Sequence, residues 1–104
     1  MQAVSRNGRI LNAAFRPGRG AATVLAFSNS LGTDFRIWDD LLARLPDDWG
    51  LLRYDTAGHG LSPGGIGMSI DDHGDDLVAL LDSYGIEKAV IVGLSVGGLI
   101  AQSV

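Results

Sequence analysis

The chain has 104 residues, room for one small domain. Hydrophobic residues make up 46% and charged residues 19%, the balance of a folded globular chain rather than a disordered one. The net charge is −4, from 12 acidic and 8 basic residues with no basic run, which speaks against nucleic acid or an anionic membrane surface as a partner, and the lack of cysteine excludes disulfides and thiolate metal sites.

The first ten residues, MQAVSRNGRI, have no apolar signal-peptide core. Asn7-Gly8 reads as a turn, and Arg9 to Arg16 as a strand. After the loop Pro17-Gly18-Arg19-Gly20, the apolar run Thr23 to Phe27 suits a strand covered on both faces. A polar loop, Ser28 to Asp34, leads into Ile37 to Leu45, with apolar residues at 37, 38, 41, 42 and 45 in helical spacing and Pro46 as the stop. Gly50 to Tyr54 is another short strand, and Asp55 to Gly67 is a long glycine-rich loop. Ser69 opens a helix with Asp72 three residues on, a variant of the capping box. Ile70, Leu77, Leu80, Leu81 and Tyr84 form its apolar stripe, and Gly85 ends it. Ala89 to Leu94 is the last strand, and a helix begins near Val96. The longest near-apolar run, Ala89 to Ala101, is shorter than the ~20 residues that cross a bilayer.

Strands alternating with helices predict an α/β fold with a mostly parallel sheet and flanking helices. Functional residues of such sheets sit at the carboxyl ends of strands. Three loops leave those ends: 28–33, 55–62 and 93–97. The last holds Gly93-Leu94-Ser95-Val96-Gly97, a G-x-S-x-G pattern between a strand and a helix. A serine there must sit in a sharp turn that exposes its hydroxyl, and flanking glycines let the backbone close. The Val96 N–H, at the helix start, is a candidate oxyanion donor. A second donor is expected from the loop after the earlier apolar strand, and Leu31, between Ser30 and Gly32, is the candidate by position. The bland alternatives are a catalytically idle serine in a glycine-rich turn and an ordinary connector.

His59, between glycines in an early loop, reads as structural, because in this architecture the histidine follows the serine in chain order. His73 lies among Asp71, Asp72, Asp75 and Asp76, a solvated acidic face rather than a metal site. The first strand-to-helix turn lacks G-x-G-x-x-G, and there is no Walker lysine, so Asp55 does not mark a dinucleotide site.

Three stretches, FSNSLGTDFRIWDDLLARL, LLRYDTAGHGLS and IVGLSVGGLIAQ, in this order and at these distances, resemble the 3-oxoadipate enol-lactonases of the α/β-hydrolase superfamily. The similarity runs from about Ile10 to Val104. G-x-S-x-G marks only the superfamily; the S-N-S-L-G-T-D loop, where many relatives have His-Gly, is more specific. The resemblance implies that residues 1–104 are the N-terminal part of a single α/β-hydrolase domain that includes the nucleophile turn. It makes Ser95 the nucleophile and the N–H groups of Leu31 and Val96 the oxyanion hole. It puts the triad acid and histidine beyond residue 104, so neither falls on a residue of this chain. The implied activity is opening of an enol-lactone to 3-oxoadipate in aromatic catabolism, with no cofactor and no metal; a cytoplasmic setting fits the lack of cysteine. Arg36 is one cation for the substrate carboxylate, although a surface ion pair is the simpler reading. Gly74 stands where relatives often carry alanine.

Two rivals remain open: a generic carboxylesterase or perhydrolase, and a non-catalytic binding module on the same fold. Dehalogenases and epoxide hydrolases are disfavoured, since those relatives use aspartate where Ser95 stands. The expected partners are a small-molecule lactone and the remaining C-terminal segment, as part of the same protein or as a separate chain, because Ala89-Val90-Ile91-Val92 is otherwise an apolar edge. Alone, these residues are expected to be inactive.

Overall fold

The short apolar runs form adjacent strands. A computed structural model describes residues 2–4, 10–19, 23–30, 32–59, 62 and 67–104. Its strands are β1 (Gln2–Val4), β2 (Ile10–Arg16), β3 (Val24–Ser28), β4 (Gly50–Tyr54) and β5 (Val90–Gly93). A 3₁₀ turn (Phe35–Trp38) runs into α1 (Asp39–Leu42); α2 spans Ile70–Ser83 and α3 spans Val96–Ser103. The Asn7-Gly8 turn lies outside the described residues.

The sheet order is β1-β2-β4-β3-β5. β3 is parallel to β4 on one side and to β5 on the other, with Leu25 opposite both Leu51 and Val90. β2 pairs antiparallel with β4, and β1 antiparallel with β2. The sheet is therefore mixed: parallel through β4-β3-β5, antiparallel at β2 and β1. Residues 17–23, between β2 and β3, are too few for the crossover of about a dozen that a parallel return needs. β1 has only three residues, too few to show an alternation in the sequence.

Alternation along the strands gives the sheet two apolar faces. On one, Leu11, Ala13, Ala26, Leu52 and Tyr54 pack with Leu77 and Leu80 of α2 and Ile100 of α3. On the other, Leu25, Phe27 and Leu51 pack with Trp38, backed by Phe35, Leu42 and Leu45. The α2 stripe falls as expected, with Leu77 and Leu80 fully buried and Ile70, Leu81 and Tyr84 packed beside them.

The helix ends follow from named hydrogen bonds. Ser69 and Asp72 form a reciprocal capping box, at 3.1 and 3.0 Å. Gly85, at φ +69, ends α2, with Gly85 N–H to the Asp82 carbonyl and Ile86 N–H to the Leu81 carbonyl. These two bonds are the Schellman pattern, and the left-handed position favours glycine. The helix expected over 37–45 instead starts at Phe35 as a 3₁₀ turn. The Asp34 side chain accepts from the Arg36 N–H at 2.9 Å and caps it two residues early. Ile37 and Leu41 are left exposed, while Trp38, Leu42 and Leu45 face the core. Gly74 is explained by packing: a Cβ there would overlap the Ser103 hydroxyl of α3.

The Tyr54 hydroxyl is sealed between sheet and helices, near the hydroxyls of Ser28 and Thr56. Burial, helped by the Asp76 charge, pushes its pKa from 10.0 up to about 12. The folded hydroxyl thus stays protonated where the unfolded one ionises. The stability this contributes is complete below pH 10 and is lost as pH rises toward 12. The loss is on the order of 1 kcal/mol per pH unit across that window. Urea midpoints measured at about pH 9 and about pH 11 should fall with pH, and Tyr54→Phe should flatten the fall. An unchanged slope in Tyr54→Phe would contradict this assignment.

Candidate active site

The parallel strands β3, β4 and β5 end at Ser28, Tyr54 and Gly93 at the same end of the sheet. Leu94 and Ser95 connect β5 to α3. Ser95 has φ 56 and ψ −119, and among the described residues it alone combines positive φ with a side chain other than hydrogen. Such a conformation costs about 1–3 kcal/mol and persists only where the surroundings impose it.

The surroundings are β3 and the first turn of α3. The Leu94 N–H donates to the Ser28 carbonyl at 3.1 Å. The N–H groups of Gly97 and Gly98 donate back to the carbonyls of Leu94 and Ser95, at 3.0 and 2.9 Å. A Cβ on Gly93 would lie 2.6 Å from the Gly97 oxygen and from the Gly98 nitrogen. A Cβ on Gly97 would overlap the Ser28 carbonyl and lie 2.6 Å from the Asn29 oxygen. Both glycines of the motif are therefore required by backbone contact. Ser95 itself is exposed, at the amino end of α3. The Val96 N–H makes no backbone hydrogen bond among the described residues, as the first N–H of a helix should not.

Leu31, the other expected donor, lies outside the described residues. On either side of it, the Thr33 hydroxyl donates to the Ser30 carbonyl at 2.7 Å, and Gly32 has φ +75. Asn29 is buried beside this turn. Its amide N–H donates to the Tyr54 carbonyl at 2.7 Å, and its oxygen accepts from the Trp38 indole at 2.6 Å.

Asp55 is buried and holds three segments together. Its carboxylate accepts from the Asn12 amide at 2.9 Å and from the Phe35 N–H at 2.8 Å. The Ser62 hydroxyl donates to the Asp55 carbonyl at 2.7 Å and accepts from the Asn12 N–H at 2.8 Å. This is the wiring of a structural residue. His59 is half-buried, its N–H donating to the Thr56 carbonyl, its carbonyl accepting from the Ser62 N–H, and its Nδ1 3.3 Å from the Ala57 carbonyl. Arg36 forms a surface pair with Asp34, at 2.8 and 3.0 Å, with 77% of its side chain exposed. Hydrogen bonds from the Arg36 side chain and backbone hold the Asp34 carboxyl down at about 2.

One expectation fails around His73. Asp71, Asp72 and Asp75 are exposed, but Asp76 is buried, so the acidic face is only partly solvated. Asp76 directly precedes Leu77 and falls four before Leu80 on the inward stripe, beside Tyr54. No three His, Asp or Glu side chains among the described residues converge as metal ligands would. Asn29, Trp38, Asp55 and Ser62 are the site's buried supports that composition and spacing do not reveal, since nothing in the string separates a buried asparagine from a loop one.

Gly97 and Gly98 give an internal comparison. A Cβ on Gly98 would find its nearest neighbour at 4.0 Å, the Gly93 oxygen. Gly98→Ala should therefore be neutral or stabilising, by up to ~1 kcal/mol for a helical site. Gly97→Ala should cost about 1–3 kcal/mol or more, because backbone must move to admit the methyl group. Urea denaturation of the two variants tests this, and equal midpoints would contradict the contact argument.

The α/β-hydrolase fold model matches residues 20–104. The chain is 42% identical over 86 residues to 3-oxoadipate enol-lactonase 2 of Acinetobacter baylyi, covering 82% of this chain and 32% of that protein. It is 39% identical over 85 residues to a putative carbamate hydrolase, RutD, of Pseudomonas savastanoi, covering 80% of this chain and 33% of that one. The crystal structure of an enol-lactonase from Burkholderia xenovorans superposes with a TM-score of 0.87 at 38% identity, over 96% of this chain and 39% of that one. The chain thus spans about a third of the length of the curated relatives it matches. With the fold model matching most of its length, the chain belongs to the α/β-hydrolase fold family.

Proposed function

We propose that these residues are the N-terminal part of one serine hydrolase domain whose substrate is a lactone, best read as 3-oxoadipate enol-lactone. The observation that carries the hydrolase reading is the strained, exposed Ser95 at the amino end of α3. The similarity to an enol-lactonase supports the substrate. In this reading the Ser95 hydroxyl attacks the ring carbonyl, and a base takes its proton. The N–H groups of Val96 and Leu31 hold the oxyanion. Collapse of the tetrahedral adduct breaks the ring C–O bond. The departing enolate takes up a proton to become a ketone, which makes it a better leaving group than an alkoxide. Water then attacks the Ser95 ester and releases 3-oxoadipate. These bond changes need neither metal nor organic cofactor.

The base and its orienting acid belong, in this proposal, to the remaining C-terminal segment, and no residue of the 104 is assigned either role. His59 and Asp55 are held by their loop contacts instead. The sheet edge at β5 is where that segment docks: Val90 on the strand, and Leu94 and Leu99 just after it, are 54%, 50% and 54% exposed. Among the described residues no helix is long and apolar enough to cross a membrane.

A carbamate or simple ester is the second reading, favoured by the similarity to a putative carbamate hydrolase. A panel of enol-lactone, aryl acetate and carbamate assayed on the full-length protein separates these, with the enol-lactone expected to give the highest kcat/KM. Ser95→Ala in the same protein should lower kcat on the order of 10⁶-fold, as in other serine triads, with the melting temperature unchanged or raised. Retention of even a tenth of the turnover would remove Ser95 from the mechanism.

A further inference from the structure

We infer that Asn29 and Trp38 are positioning residues that anchor the two ends of the loop after β3, the loop expected to supply one half of the oxyanion hole, an inference that rests on the serine-hydrolase reading above. Asn29 is 1% exposed, and both ends of its amide are used. The Nδ2 group donates to the Tyr54 carbonyl at the end of β4, at 2.7 Å, and Oδ1 accepts from the Trp38 Nε1–H at 2.6 Å. One side chain thus ties the end of β3 to the end of β4 and to the 3₁₀ turn that follows the loop.

The loop is held at its far side as well. The Phe35 N–H donates to Asp55 at 2.8 Å, and the Ser30–Thr33 turn closes on itself. The Trp38 ring lies against Phe27, with centroids 5.0 Å apart, so packing sets the direction of its N–H. An apolar pair of the same shape would serve stability nearly as well. A buried, fully satisfied polar pair adds a single allowed loop position. Transition-state stabilisation needs that, because oxyanion donors act only when placed before charge develops.

The test uses the full-length protein. Trp38→Phe keeps a ring against Phe27 and removes the indole N–H together with part of the ring volume, which the stability control below accounts for. It should lower kcat by about tenfold or more, with KM within about twofold, and weaken a trifluoromethyl ketone transition-state mimic by the same factor. Phe15→Leu, which loses the ring contact with Tyr84 on the other face, serves as a stability control and should lower the melting temperature without changing kcat. Should Trp38→Phe not fold, 3-benzothienylalanine at position 38, with sulfur in place of N–H, carries the same expectation. The inference is overturned if kcat and ketone affinity stay within about twofold, or fall no further than in Phe15→Leu at equal melting temperature. If the unsubstituted protein neither cleaves an ester nor binds the ketone, the proposed function falls with it. If Ser95→Ala is inactive while Trp38→Phe is unimpaired, only the positioning role is lost.

Discussion

Everything at the functional edge depends on one close approach, the first turn of α3 lying directly on the carboxyl end of β3. The Ser28 carbonyl accepts the Leu94 N–H and leaves no room for a side chain at Gly97. Gly93 is closed off in the same way by the Gly97 and Gly98 backbone. With both glycines pressed against backbone, the chain has one route from β5 into the helix, and Ser95 takes the left-handed φ on that route. The strain is held by contacts that would have to break for it to relax. The glycines act here by lacking a Cβ, since their neighbours fill that space.

β3 can serve as this platform because it lies between β4 and β5, its backbone paired on both sides. Leu25 and Phe27 face one apolar cluster and Ala26 the other. Asp76 apart, the buried polar groups collect beyond the carboxyl ends of β3 and β4: Ser28, Asn29, Asp55, Thr56 and Ser62 are all below one-tenth exposed. Buried polar groups are costly unless bonded, so this concentration defines geometry more than it adds stability. Asn29 and Asp55 divide the work: the first joins β3 to β4, the second joins β2, β4 and the 3₁₀ turn.

Much of this layout was legible in the sequence, for local reasons. β4 is bounded as expected by Gly50 and Tyr54, because a short run carrying Leu51, Leu52 and Tyr54 between polar loops has few alternatives. The α2 ends follow from Ser69, Asp72 and Gly85, whose chemistry is short-range. What was not legible is tertiary. The antiparallel β2 depends on which neighbour a strand finds, and a three-residue β1 carries no periodicity. The early start of the 3₁₀ turn depends on an Asp34 cap that also reads as a loop residue. The motif directed attention to Ser95 and to the turn that holds it. The Asn29–Trp38 bond spans nine positions and has no sequence signature. Likewise Asp76 looks like one of four clustered acids until α2 is laid on the sheet.

The fold strains Ser95 into an exposed position at the amino end of α3, where a nucleophile would stand. The most direct measurement is covalent labelling of the folded, full-length protein with a fluorophosphonate, followed by trypsin and mass spectrometry. A single adduct is expected in the peptide that follows Lys88, located on Ser95 and not on Ser103, and lost on prior denaturation. A folded protein that takes no label, or takes it on another serine, would contradict that role for Ser95.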